Sequence, residues 1–408
     1  MNYENDFRAA AAGRLPGPVR VKPDRDGPKD IAGCAISGIC CTDGQRINGR
    51  DIVKSIELMH DRGNGLGGGF AAYGLYPEHA DCYALHVMYD NPAAKATAEQ
   101  FIGETFDIVY KDVIPTRHVP AIRNRPIFNR YFVQPRAAIR EHYYEMTDDD
   151  IVVWAVMHVN VRIDGAFVFS SGKDCGVFKG VGYPEEIADF FCLEDYQAYT
   201  WTAHSRFPTN TTGWWGGAHP FGILDWTVVH NGEISSYGTN RRYLANFGYD
   251  CALHTDTEVI AYLFDLLVRK HKLPIEVACT AFAPPLWDVI ERMPAKERQL
   301  AHAVRMTYAP ALLNGPFSIL VGFRGGMIAL NDRIKLRPMT AASKGKRIYV
   351  ASEEAAIRVI CPQPDKVWQL PAGDPLLVKV DGITNEYVKS NKTDAEKSEQ
   401  SKTLAGSA

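Results

Sequence analysis

A mixed α+β fold follows from three features of this 408-residue chain. Short β-branched and apolar runs recur from Cys34 onward, stretches with helical spacing separate them, and an apolar content of 46% is ample for a sizeable core. Composition also narrows function. With 45 basic against 48 acidic residues and a formal net charge of −3, the chain has no basic footprint for nucleic acid. The first residues lack the apolar core of a secretory signal, and no later stretch approaches the roughly 18 apolar residues of a membrane span. A cytoplasmic location and no membrane partner are therefore expected. Nine cysteines, an odd number spread over a long chain, point to reduced thiols and not to a disulfide framework. Cys40 and Cys41 are adjacent and no CxxC pair occurs, so no metal site is expected.

Residues 1–33 are rich in Ala, Pro, Gly, Arg, Lys and Asp without sustained periodicity and read as a flexible leader. Cys34 to Cys41 reads as a buried strand, and Gly49 to Arg62 as a helix carrying Ile52, Val53, Ile56 and Met59 on one face. GNGLGGG at 63–69 contains the spelling GxGxxG. It follows a helix and precedes a strand, the reverse of the dinucleotide fingerprint, so it reads as a C-cap and loop. From Cys82 come a strand, a helix from Asn91 to Phe106, strands near 107–114 and 127–134, and the β-branched strand run IVVWAVMHVNVRI at 151–163. Residues from about 80 to 165 thus read as a compact α/β insertion.

AFVFSS and GVFKGVG are strands ahead of a helix near 184–191, and WTAHSRF at 201–207 is another strand. The apolar run TVV ends abruptly in a polar turn at His230, Asn231 and Gly232. Thr255 is positioned to cap a long helix from Asp256 to Lys270, with acidic residues in its first turn. Helical character continues to about Thr307. FSILVGF, GMIALN, IYVAS, KVWQL and PLLVKV then read as strands. From Lys389 onward polar residues replace apolar ones, so 389–408 reads as a disordered tail.

Cys34 offers a nucleophile, the turn at Asn231 and Gly232 offers a side-chain amide and a backbone N–H for a developing oxyanion, and Arg206 can grip a carboxylate with two nitrogens. Singly these are weak signals, since a buried cysteine is usually inert and HNG is a common turn. Their order is informative. CAISGI at Cys34, VFKGVG at 177–182, AHSRFPTNT at 203–211, VVHNGEISSYGTNRRYL at 228–244, TDTEV at 255–259, LNDRIKLRP at 330–338 and VASEEAAI at 350–357 together resemble the class II glutamine amidotransferases. These form a branch of the N-terminal-nucleophile hydrolases, and the likeness is closest to the amidotransferase region of glutamate synthase. The resemblance covers most of the chain from 34 to about 380 and implies an amidotransferase domain over 34–388.

The fold implied by this resemblance is a four-layer α-β-β-α sandwich of two antiparallel sheets. The implied activity is glutamine hydrolysis to glutamate through a Cys34 thioester, with the α-amino group of Cys34 as base once a propeptide ending at Gly33 is removed. Asn231 and Gly232 are implied as oxyanion donors. Arg206 would hold the glutamine α-carboxylate, Asp256 its α-ammonium group, and Thr209 and Asn210 would orient it. His204 and His230 read as structural, because the free amine already supplies a base. Glu233 and Asn240 are expected to brace the oxyanion turn, and Asp332, Arg333, Arg337 and Ser352 to support the sheets.

Two departures matter. Ala35 stands where the family usually has glycine, and the flavin and iron–sulfur synthase region of glutamate synthase has no counterpart here. No cofactor is expected in this chain, and the implied partner is an ammonia-accepting synthase on another chain, which would carry the flavin and iron–sulfur groups. Two other readings stay open: an unprocessed, catalytically silent regulatory subunit, and an N-terminal-nucleophile amidase of another substrate.

Overall fold

The computed structural model describes residues 33–206 and 213–383. Two antiparallel sheets dominate. The larger has seven strands. In chain order these include β1 (Ala35–Cys41), β2 (Gly68–Tyr73), β3 (Cys175–Gly180) and β4 (Thr200–Ser205). Across the sheet the order is Lys366–Gln369, Thr340–Lys344, Arg347–Ala351, β1, β4, β2, β3, so β1 lies at the centre. The smaller sheet runs Phe221–Ile223, β5 (Trp226–Gly232), β6 (Phe317–Phe323), Gly326–Asn331, Leu376–Lys379.

The two sheets pack face to face through β1 and β4 against β5 and β6. Alternation along β1 explains how. Ile36 and Cys40 enter the apolar layer between the sheets with Val229, Leu320 and Met327, whereas Ala35 and Ile39 face the opposite way onto Ile52 and Ile56. Gly38 also faces inward, where a Cβ would stand 2.8 Å from Met327 Sδ and 3.0 Å from Leu320 Cδ1. The missing side chain leaves that space to the ends of Met327 and Leu320.

Helices cover both outer faces. α1 (Arg50–Glu57) packs on β1 and β4, and α2 (Pro184–Phe190) on β2 and β3. On its buried side α1 also meets β1 through Ser55, whose hydroxyl lies 2.6 Å from that of Ser37. α3 (Asp256–Phe264) covers β5 and Phe221–Ile223. Its N-cap is Thr255, whose hydroxyl accepts from Glu258 N at 3.1 Å, and it passes into a π-helical turn over Asp265–Lys270. The layering is therefore α-β-β-α. No helix among the described residues is long and apolar enough to cross a membrane.

Residues between β2 and β3 build a third sheet, ordered Phe106–Val113, Ile127–Pro135, Tyr83–Tyr89, Ala166–Ser170. Here one sequence expectation fails. The β-branched run at 151–163 is not a strand but most of the helix Asp148–Arg162. Thr147 and Asp150 form a reciprocal capping box, and three aspartates occupy the first turn, where they complement the helix dipole. Seven apolar residues between Ile151 and Val159 are buried, so burial on several sides erased the periodicity that separates helix from strand.

A second difference concerns β5. It does not stop at His230 but stays paired through Asn231↔Ser318 and Gly232↔Phe317. The polar spelling belongs to the strand end and not to a turn.

Candidate active site

Cys34 sits immediately before β1 and is partly buried. The antiparallel pairing Ala35↔Ser205 leaves Cys34 and Arg206 just beyond the same sheet end. Arg206 is only 5% exposed. Its backbone N–H donates to Gly67 O at 2.9 Å and its carbonyl accepts from Asn64 N at 3.3 Å, so the glycine-rich loop after α1 fixes it. Burial pulls the guanidinium below its usual value, while Cys34 and Asp256 act in the opposite sense. Arg206 thus lies within electrostatic reach of both.

The end of β5 meets the start of β1 through one hydroxyl. Ser352 Oγ accepts from Ile36 N at 3.1 Å and from Asn231 Nδ2 at 3.4 Å. Asn231 is fully buried, and its Oδ1 finds no hydrogen-bond partner among the described residues. Gly232 adopts φ +152°, and a Cβ there would lie 2.0 Å from Pro316 O, so no other residue fits. Glu233 N donates to Pro316 O at 3.0 Å, which continues the pairing past the strand.

Asp256 opens α3. Its Oδ2 accepts from Ile234 N at 3.0 Å, and its Oδ1 lies 3.5 Å from His230 Nδ1. Burial pushes this carboxyl up, but His230, the Ile234 N–H and the Thr257 hydroxyl outweigh it and hold it below the usual carboxylate range. It is therefore an anion with its side chain 20% exposed. Cys34, Arg206, Asn231, Gly232 and Asp256 thus gather at one end of the sandwich, while Thr209 and Asn210 lie outside the described residues.

Two groups at this site escape a reading of the sequence. Arg62, at the end of the short 3-10 turn His60–Arg62, donates from Nε and Nη2 to Cys34 O at 3.1 and 3.0 Å. A basic residue closing a helical segment ordinarily reads as a dipole partner, which hides such a role. Ser352, expected only as sheet support, is the hydroxyl that joins the two strands. Asn240 braces the neighbouring loop, its Nδ2 donating to Pro310 O and Leu312 O at 2.6 and 3.0 Å, and not the Asn231–Gly232 pair itself. His204 Nε2 donates to His230 O at 2.9 Å, which suits a structural histidine. Burial pushes the Cys40 thiol up to about 12 and Cys41 up to about 11, so neither supplies thiolate near neutrality.

A protein of Archaeoglobus fulgidus is 52% identical over 372 residues, which span 90% of this chain and 97% of the other. The two belong to one family. A relative from Methanothermobacter thermautotrophicus, 26% identical over 84% of this chain and 98% of its own, is provisionally named a glutamine amidotransferase. Residues 79–249 match the family Glutamine amidotransferases class-II. Over that span the chain is similar to the class-II glutamine amidotransferases. Arg206, Asn231 and Gly232 fall within the matched span; Cys34 and Asp256 lie outside it and are joined to it by the contacts above. A solved structure of glutamine phosphoribosylpyrophosphate amidotransferase from B. subtilis aligns at 15% identity and a TM-score of 0.43. That alignment covers 88% of this chain and 50% of the other, so this chain spans half the length of that protein.

Proposed function

We propose that this chain is the glutaminase component of a two-part amidotransferase, hydrolysing glutamine at Cys34 and passing ammonia to a separate synthase. The observation that carries the reading is geometric: the pairing Ala35↔Ser205 leaves Cys34 and Arg206 just beyond the same sheet end, and Asp256, which accepts from Ile234 N at 3.0 Å, adjoins the end of β5 that Ser352 ties to β1. A cation and an anion at that end match the two charged ends of a free amino acid, and a peptide would lack that pair.

Cleavage of the Gly33–Cys34 bond would free an α-amine whose reference pKa is about 7.7–8.0, suited to a base near neutrality. That amine takes the thiol proton, and sulfur attacks the glutamine side-chain carbonyl carbon. The oxygen gains negative charge opposite the Asn231 Nδ2–H and Gly232 N–H. The resulting ammonium returns its proton to the leaving nitrogen, ammonia departs, and a γ-glutamyl thioester remains. Water, deprotonated by the same amine, opens the thioester to glutamate and restores the thiol.

The ammonia acceptor in this proposal is a glutamate-synthase-like partner that carries flavin and iron–sulfur groups, in a reducing cytoplasmic setting that keeps the Cys34 thiol reduced. The third sheet is the proposed partner surface, since its edge strand exposes Val109 at 56% and Val113 at 63%. Partner binding that survives charge substitution at both valines would remove this surface from consideration.

The test is peptide mapping after treatment with a glutamine-mimicking diazo-ketone. Label on a peptide beginning at Cys34 supports processing, nucleophile and glutamine site together. An unlabelled Cys34 still joined to residues 1–33, with a partner present, would favour the silent regulatory subunit instead.

A further inference from the structure

Thr257 follows Asp256 in the first turn of α3 and is fully buried. Its hydroxyl is the meeting point of three groups. His219 Nε2 lies 2.7 Å away, His230 Nδ1 3.2 Å and Asp256 Oδ1 3.2 Å. A carboxylate cannot donate, so the single hydroxyl hydrogen goes to Asp256 Oδ1. The two lone pairs of Thr257 Oγ1 then accept from His219 Nε2–H and His230 Nδ1–H. Behind these, His219 stacks on His204 with ring centroids 3.9 Å apart, and His204 Nε2–H is committed to His230 O. Both tautomers facing Thr257 are thereby set by the network, and His230 Nδ1 also lies 3.5 Å from Asp256 Oδ1.

Asp256 is consequently held at both oxygens, Oδ2 by Ile234 N–H and Oδ1 by the Thr257 hydroxyl, before any ligand arrives. We propose that Thr257, backed by His219 and His230, is a positioning residue that fixes the Asp256 carboxylate for the α-ammonium group of the substrate and so sets selectivity for a free α-amino acid. This rests on the reading of Asp256 as the ammonium holder. Preorganising a charged acceptor removes an ordering cost that binding would otherwise bear, and its benefit vanishes for a substrate without the ammonium group.

That difference supplies the test. Glutamate or glutarate release is measured on the processed full-length chain, with its partner if one is required, using glutamine and the analogue that lacks the α-amino group. Thr257→Val removes the hydroxyl at nearly constant volume. Loss of one hydrogen bond to a charged group predicts a KM for glutamine raised roughly tenfold or more, with kcat changed less and KM for the analogue unmoved. Thr257→Ser restores the glutamine KM. Should Thr257→Val not fold, His219→Asn removes one donor and predicts the same pattern at smaller size.

Equal losses on both substrates would mean that Thr257 merely supports the fold, and the proposal falls. Asp256→Asn serves as the reference. If it lowers glutamine preference and Thr257→Val does not, the network is wrong and the clamp stands; if Asp256→Asn leaves the preference intact, the clamp itself is wrong and the network falls with it.

Discussion

Arg62 sets two guanidinium nitrogens on the carbonyl oxygen of Cys34, at 3.1 and 3.0 Å, while Nη1 reaches Glu353 Oε1 at 2.7 Å. The backbone of Cys34 is thus gripped by a planar fork anchored to the helical segment Glu354–Arg358 through its neighbour. Such a grip fixes the direction in which Cys34 enters β1.

Arg62→Lys should expose the importance of that fork. A single ammonium cannot occupy both positions, and losing a charge-assisted hydrogen bond predicts a roughly 10–100-fold fall in kcat. KM for glutamine should change little, because no glutamine atom is involved. Steady-state kinetics of glutamate release measure both.

Asn231→Ala removes one of the two proposed oxyanion donors. The expected fall in kcat is ~10²–10³ with KM nearly constant. A parallel loss in thermal stability is expected too, because Asn231 Nδ2 also donates to Ser352 Oγ. Ser352→Ala separates the two effects, since it removes the tie between the strands and leaves the amide in place.

Arg206→Lys should act mainly on KM. Lysine keeps the charge but cannot present two parallel N–H groups to a carboxylate. Glutamine KM is expected to rise far more than kcat falls. An unchanged KM would take Arg206 out of the substrate site.

Lys179 offers a pH test of the fold around the site. Its ammonium is fully buried, donates to Gly216 O at 3.0 Å and lies 4.2 Å from the centroid of the Phe221 ring. Burial, opposed by Glu258 and assisted by Arg206, brings it down from 10.5 to about 7. Between those values the unfolded chain binds more protons here than the native state, so this group favours folding increasingly as pH rises from about 7 towards 10.5. Lys179→Met removes that dependence. The melting temperature of the variant minus that of the natural protein should be highest near pH 7 and decline towards pH 10, and a difference independent of pH would refute the buried titration. Glu258 bears the opposite sign. Burial raises its carboxyl to about 7, so its contribution is present below 4.5 and lost as pH climbs towards 7.

Strands were legible wherever a short apolar run was bounded by turn residues, as at β1, β4 and β6, and α3 was legible from Thr255 and its acidic first turn. The helix at Asp148–Arg162 was not, because a segment buried on several sides shows no period. In the site, Cys34, Arg206, Asn231 and Gly232 could be proposed from the chemistry of their side chains and backbone, and Asp256 from the resemblance of TDTEV to the family's motif. Arg62 and Thr257 could not, since each acts through a distant partner: Arg62 on a backbone carbonyl, and Thr257 on histidines 38 and 27 positions away. Nothing local in the chain announces such contacts. Ser352 lay in a motif block that resembled the family, yet its bonds to Ile36 and Asn231 become visible only once the two sheets are assembled.

Gly38 lies on the strand that Cys34 precedes, four positions further on, where a Cβ would press on Met327 Sδ and Leu320 Cδ1. Those atoms are the ends of flexible side chains on the facing sheet, so a methyl group there would be felt first as repacking between the layers. The strand beside Cys34 is therefore seated on movable side chains of the sheet that carries Asn231 and Gly232. A survey of variants confined to positions that could touch a ligand would overlook that seat.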